Sequence, residues 1–376
     1  MKRGMVRASR VFALTLVISC RPSTSVRPIA SSPSGIGCAA SPCAAGSDSL
    51  ITVTYLGVSG LLIQHAGHVM LTAPFFSDPD FGKIRPRVRH LLRRNTPISA
   101  DTAAINALIP RTAGNASLIL VGHGHYDHLM DIPFIASRHA RMAVIYGSPT
   151  VRHMLMGDAE LRSNPKRVIA IDTIDAGTTD RNGTWIYSAD SAFRFMALVA
   201  AHAPAYNVGS YKYRFASGVV DTDLVSLPRT AAEWKLGEPY AYVIDVLTAG
   251  APVFRIYFQD APSDPPLGFP PKDVLADRRF DLAVLCAATS SNVPLTPDSL
   301  LAVIKPREVL VTHWESFFRS QGAPVRVGAG TDLHEFVRSL RHSGITSWVI
   351  PLPRAEFRFR ERRTNAGSSA QAPGWL

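Results

Sequence analysis

Ser117-Leu118-Ile119-Leu120-Val121-Gly122-His123-Gly124-His125-Tyr126-Asp127-His128-Leu129-Met130-Asp131-Ile132 is the stretch from which the rest of the chain is read. The run from Ser117 to Val121 has the length and apolar character of a buried strand, and Leu129 to Ile132 reads as the start of a helix. In an extended segment side chains two apart point the same way, so His123 and His125 can grip one cation together. Asp127 and His128 lie just beyond, where the chain turns, and can face a second cation close by. Imidazole and carboxylate are the ligands expected for zinc, iron or manganese. Three His and one Asp at these offsets arise by chance in well under about one in a hundred chains of this length.

Working outward, Ile51 to Gly57 alternates like a half-buried strand. Leu61 to Gln64 and His68 to Leu71 form a hairpin across Ala66-Gly67. A long loop from Pro74 to Pro97 follows, carrying Phe75, Phe76 and Phe81 and then Lys83, Arg85, Arg87, Arg89, His90, Arg93 and Arg94. Loops of such length in a compact domain are uncommon and often functional. Asp101 caps a helix running through Leu108. Further strands are expected at Ala143–Tyr146, Phe193–Val199, Tyr240–Val246, Val253–Phe258, Phe280–Leu285 and Val309–Thr312, and further helices starting at Ser148, Thr296 and Thr331. Strands alternate with helices, but the early hairpins interrupt the pattern and argue against a plain doubly wound sheet.

The His-x-His-x-Asp-His stretch resembles the metallo-β-lactamase superfamily, and later stretches match that family's remaining motifs in order. His202 follows the strand ending at Val199, Asp260 follows Phe254 to Gln259, and His313 closes Val309 to Thr312. The resemblance covers roughly residues 50 to 360 and implies an α/β fold, an αββα sandwich. It implies that His123, His125 and His202 hold one metal, that Asp127, His128 and His313 hold the second, and that Asp260 bridges them. Asp245 and Asp264 compete with Asp260 for that role, but Asp245 lies inside a strand and Asp264 beyond an expected turn at Pro262. Where the family usually has Gly-Asp-Thr, this chain has Gln259-Asp260-Ala261. Two cations about 3.5–4 Å apart can share a water and lower its pKa toward neutrality, giving a hydroxide nucleophile. Asp127 is the candidate catalytic residue, orienting that hydroxide or accepting its proton. Zinc is the expected metal, with iron or manganese as alternatives.

The motif spelling His125-Tyr126-Asp127-His128-Leu129 and His313-Trp314-Glu315-Ser316-Phe317 is similar to the branch containing N-acylphosphatidylethanolamine phospholipase D. That branch implies cleavage of phosphodiesters or cyclic esters. Its usual His-Trp-Ser is replaced here by His202-Ala203-Pro204. The expected activity is therefore metal-dependent hydrolysis of a phosphodiester or ester in a small, anionic or lipid-like substrate, with Phe75, Arg85, Arg87 and His90 as candidate substrate contacts. The alternatives are a metal-binding envelope scaffold without turnover and a ring-opening hydrolase of lactone or β-lactam type.

Composition sets the context. The chain has 376 residues, 46% of them hydrophobic and 18% charged, which excludes wholesale disorder. Removing Lys2, Arg3, Arg7 and Arg10, which lie in a targeting segment, lowers the formal charge from +11 to +7. The basic start, the apolar run Val11 to Ile18 and then Ser19-Cys20 have the layout of a secretory signal. Val17-Ile18-Ser19-Cys20 resembles the bacterial lipobox, which implies a lipid on Cys20 and an exported, envelope-anchored protein for which no nucleic-acid partner is expected. Residues 1–19 are then the signal, 20–49 a Ser-, Pro- and Gly-rich tether, 50–360 the hydrolase domain and 361–376 a disordered tail. Cys38 and Cys43 can pair in an oxidising compartment, Cys286 reads as a buried core thiol, and no Cys-x-x-Cys supports a thiolate zinc site.

Overall fold

The computed structural model describes residues 50–79 and 95–362. The signal, the tether and Cys20, Cys38 and Cys43 lie outside the described residues, as do Arg85, Arg87 and His90. The strands in chain order are β1 (Leu50–Gly57), β2 (Gly60–His65), β3 (His68–Thr72), β4 (Ala116–Leu120), β5 (Val144–Gly147), β6 (Val168–Ala170), β7 (Ile186–Tyr187) and β8 (Phe193–Val199). They continue with β9 (Tyr206–Val208), β10 (Tyr211–Tyr213), β11 (Tyr240–Thr248), β12 (Ala251–Gln259), β13 (Leu282–Cys286), β14 (Glu308–Thr312), β15 (Trp348–Val349) and β16 (Glu356–Arg360). One sheet has the order β16-β1-β2-β3-β4-β5-β6 and the other β15-β14-β13-β12-β11-β8-β7, while β9 and β10 form a separate hairpin.

Each sheet is antiparallel at one side and parallel at the other, because the antiparallel runs β1–β2–β3 and β8–β11–β12 lead into crossovers. The turn between β2 and β3 is formed by Ala66 and Gly67 at φ +47 and +84, the left-handed pair that matches the twist of a tight hairpin.

Period-two burial builds the layers. Leu61, Ile63, Leu118 and Leu120 of the first sheet meet Phe193, Phe195, Tyr242, Ile244, Phe254 and Ile256 of the second in one core between the sheets. The opposite faces, Leu62, Ile119 and Val121 on one side, pack on helices 102–108, 132–138 and 149–155. On the other side Leu198, Val243, Leu285 and Val311 pack on helices 298–304 and 333–342. The chain is thus an αββα sandwich, as expected. Strands buried on both faces explain the near-continuous apolar runs seen in the sequence.

Asp101 accepts from Ala103 N and Ala104 N and caps the helix Thr102–Leu108. Ser148 caps Pro149–Leu155 through Val151 N, and Asp332 rather than Thr331 caps Leu333–His342. Of the tail expected at 361–376, residues 363–376 lie outside the described residues, and Glu361 and Arg362 are packed on the domain. Glu361 accepts from Thr248 Oγ1 at 2.9 Å and pairs with His65, and Arg362 N donates to Val253 O, so ordered packing continues past β16 to Arg362. Among the described residues no helix is long and apolar enough to cross a membrane.

Candidate metal centre

The residues singled out at 123–128, 202, 260 and 313 meet at the C-terminal ends of β4, β8, β12 and β14. Beyond β4 the backbone is tied across to the second sheet. Tyr240 N donates to Gly122 O at 2.8 Å, Gly124 N donates to Leu236 O at 3.0 Å, and the Tyr242 hydroxyl donates to Val121 O at 2.7 Å. This close approach needs glycine at two positions. A Cβ on Gly122 would run into the Asp260 carboxylate, and one on Gly124 into Lys235 O and Met154 Cε.

Hydrogen bonds fix which ring nitrogens are free. A carbonyl only accepts, so His125 Nε2, 2.9 Å from Phe215 O, carries its proton and leaves the Nδ1 lone pair open. His202 Nδ1 donates to Ala203 O at 2.6 Å, freeing Nε2. His123 Nδ1 donates to Asp260 Oδ1 at 3.1 Å, freeing its own Nε2. That nitrogen faces His125 Nδ1 at 3.1 Å. Two lone pairs at this separation repel each other, and the spacing suits two imidazoles on one cation at about 2.0–2.1 Å each.

The other half of the cluster is equally short of donors. Asp127 Oδ2 lies 3.3 Å from His313 Nε2 and 3.6 Å from His128 Nε2, and Asp260 Oδ2 lies 3.6 Å from His128 Nδ1. Among the described residues, His128 Nδ1, Asp260 Oδ2 and His313 Nδ1 are buried with no hydrogen-bond partner. Three sets of donor atoms each fall within 4.8 Å: His123, His125 and His202; His123, His128 and Asp260; and Asp127, His128 and His313. Asp260 therefore sits between the other two groups. Buried polar atoms left unpaired are expensive, and cations held among these donors would offset that cost. The residues present fit two divalent metals.

Burial, reinforced by neighbouring His123, holds the imidazoles of His125 and His128 well below the ordinary histidine range and brings His202 down to about 3. These rings are neutral near neutral pH, as a metal ligand must be. Burial by itself would raise Asp127, but hydrogen bonding to His313 and the neighbouring imidazoles of His313, His125 and His123 outweigh it and hold the carboxyl below the usual range.

The competing carboxylates fall elsewhere. Asp245 is buried against Arg255 at 2.7 Å and Arg194 at 2.8 Å, and Asp264 lies near Lys212 and Arg214 at 3.8 and 3.7 Å.

Phe75 requires a correction. Expected to contact substrate, it is fully buried, with its ring edge-on to Tyr126 and Phe317. Asp131 causes this: its buried carboxylate accepts from Phe76 N at 2.7 Å, from Ser77 N at 3.0 Å and from the Ser77 hydroxyl, pinning the start of the loop inward. Burial, opposed by these bonds, raises Asp131 to about 6.

Sequence reasoning missed three participants. Phe215, whose carbonyl orients His125, lies in an irregular segment with no motif to mark it. Tyr55 and Glu315 form a buried pair behind His313, and the signal for Glu315 was present: an acidic residue inside Thr312-His313-Trp314-Glu315, a run that otherwise reads as core.

No protein-family model matches the chain, and no curated protein matches it. Solved structures do. A metallo hydrolase from the hyperthermophilic archaeon Ignicoccus hospitalis is similar at 13% identity, covering 83% of this chain and 100% of that one, with a TM-score of 0.46. An isothiocyanate hydrolase from Delia radicum gut bacteria is similar at 15% identity over 81% of this chain and 98% of its own, TM-score 0.44. The diiron β-hydroxylase CmlA from Streptomyces venezuelae is similar at 14% identity over 82% of this chain and 54% of its own, TM-score 0.41. Likenesses at these scores fix neither activity nor metal.

Proposed function

We propose that the chain is a metal-dependent hydrolase with a dinuclear centre, acting on an ester or phosphodiester that carries an apolar group. The observation behind this reading is the convergence of seven donor residues from four strand ends, with open lone pairs facing one another across 3.1 Å and buried atoms left unpartnered. His123, His125 and His202 would hold one cation, Asp127, His128 and His313 the other, and Asp260 both. The imidazole-rich donor set favours zinc, and iron or manganese also suits it. The cation pair, when bound, supplies Lewis acidity that brings a water toward neutral pKa and draws charge from the oxygen of the bond under attack.

The chain's own residues set the orientation and the surroundings. Phe215 O and Ala203 O hold the His125 and His202 rings in one tautomer and one rotation. An aromatic wall runs along the cluster. Phe215 lies 6.0 Å from the His125 ring, Tyr126 lies 6.5 Å from Phe215 and 6.3 Å from Phe317, and Phe317 lies 5.0 Å from His313. Phe215, Phe317 and Phe318 are partly exposed, a lining suited to an acyl, alkyl or aryl group beside the reacting bond. Arg85, Arg87 and His90 would supply the cationic side for an anionic substrate. A lipid on Cys20 would keep the enzyme in the envelope, where lipid-like esters and diesters are found.

The test is a substrate panel on zinc-loaded protein: bis-para-nitrophenyl phosphate, para-nitrophenyl butyrate, a lactone and a cephalosporin. Turnover of the diester or the ester is expected, and Asp127→Ala should remove it by orders of magnitude. Metal-loaded protein inert toward the whole panel would favour a scaffold role instead.

A further inference from the structure

Two residues beside the metal centre hold backbone conformations that L-residues avoid. Val58, in the turn between β1 and β2, has φ +56, and His313, just past β14, has φ +52. A β-branched residue is a steric outlier there, and strain of this kind persists only where the surroundings over-determine it. The two residues bond to each other, His313 N donating to Val58 O at 2.5 Å.

A buried cluster encloses that bond. Glu315, 5% exposed, accepts from the Tyr55 hydroxyl, which lies 2.6 and 2.7 Å from its two carboxylate oxygens. Its Oε1 also accepts from Val58 N at 2.8 Å. The Tyr55 oxygen lies 3.0 Å from Val58 O and accepts from His313 N at 3.3 Å. Gln321 closes the far side, its amide donating to Leu56 O at 3.0 Å and to Phe75 O at 3.3 Å. Tyr55 and Val58 belong to the first sheet and its hairpin, whereas His313 and Glu315 follow a strand of the second. The carboxylate therefore ties the two sheets together at the point where His313 leaves β14.

We propose that Glu315 is a positioning residue, which with Tyr55 locks Val58 and His313 in the left-handed region and so aims the His313 imidazole at the second cation. This rests on His313 being a ligand, as under the proposed function. Without the carboxylate, Val58 N loses its acceptor, the turn is free to relax to negative φ, and the acceptor of His313 N moves with it. Loss of a carboxylate that merely stabilised the fold would weaken both cations alike. Loss of a positioning one weakens the cation held by His313 and spares the one held by His123, His125 and His202.

Zinc is titrated by calorimetry into metal-stripped wild type, Glu315→Ala, Glu315→Gln, Tyr55→Phe and His313→Ala. Glu315→Ala should weaken one of the two zinc ions by about tenfold or more and leave the other unchanged, the scale on which groups supporting a ligand act. Glu315→Gln can accept from Val58 N and donate to the Tyr55 oxygen, so it should stay within about threefold of wild type at both ions. His313→Ala should lose the same ion that Glu315→Ala weakens. If His313→Ala loses an ion while Glu315→Ala binds both normally, or weakens both equally, Glu315 does not position His313 and the ligand assignment stands. If His313→Ala binds zinc as wild type does, the ligand assignment fails and the proposal fails with it. Should Glu315→Ala not fold, Tyr55→Phe carries the decision: a loss confined to one ion supports the proposal, and no loss or equal loss at both overturns it.

Discussion

At Gly122 a single added methyl group would meet the Asp260 carboxylate head-on. Asp260 cannot retreat easily, because its Oδ1 accepts from His123 and the residue is 2% exposed. Gly122→Ala should therefore fold, but with Asp260 displaced, metal content should fall and turnover should drop by about a hundredfold, the usual effect of a misplacement near 1 Å. Elemental analysis and a folded circular dichroism spectrum check this together. Asp78 offers a pH test at a group that is not itself among the proposed ligands. Burial, with Glu315 and Asp131 adding negative potential, raises its carboxyl from 3.8 to about 8. Between about pH 4 and pH 8 the folded chain keeps this proton while the unfolded chain has lost it, so the folded state binds more protons and stability falls as pH rises. Urea midpoints should decline from about pH 5 to about pH 8, and Asp78→Asn should flatten that decline. An equal slope in the variant would remove Asp78 from the account.

Individual elements carry separate costs. In β11 and β12, Asp245 and Arg255 are both fully buried and bonded at 2.7 Å. Asp245→Ala leaves the buried guanidinium with only the exposed carboxylate of Asp277 as an ionic partner, with a loss of about 3–5 kcal/mol expected in denaturant unfolding. Asp101→Ala, removing the cap of Thr102–Leu108, should cost about 1 kcal/mol by the same measurement. Legibility in the sequence follows the same physics. β4, β8, β12 and β14 were readable because burial on both faces makes continuous apolar runs, and the ligands were readable because each closes such a run. β16 escaped because Glu356-Phe357-Arg358-Phe359-Arg360 is an edge strand with charged residues facing water, a pattern that also occurs in loops. The hairpin of β9 and β10 escaped because each strand spans three residues, too short a run for its alternation to mark a strand. Phe75 was misread because nothing local reveals that Asp131, more than fifty positions later, draws the chain inward. Glu315 was visible as a residue and invisible as a clamp, since its partners Tyr55 and Val58 belong to the other sheet.

For the whole molecule, two sheets share one apolar core that does not depend on the metals, while the lone pairs gathered at one edge do. Metal removal should therefore lower the melting temperature without abolishing the fold, because ligands that bind only the folded state stabilise it by mass action. Adding a chelator should lower the midpoint and leave the far-ultraviolet spectrum intact, with zinc restoring the midpoint. The claim underlying all of this is that side chains from both sheets converge to hold two cations. Anomalous X-ray diffraction at the zinc edge, from crystals of zinc-loaded protein, tests it most directly. Two peaks are predicted, one among His123, His125 and His202 and the other among Asp127, His128 and His313, both beside Asp260. A map with no peak there, or with its peaks elsewhere on the molecule, would contradict the account.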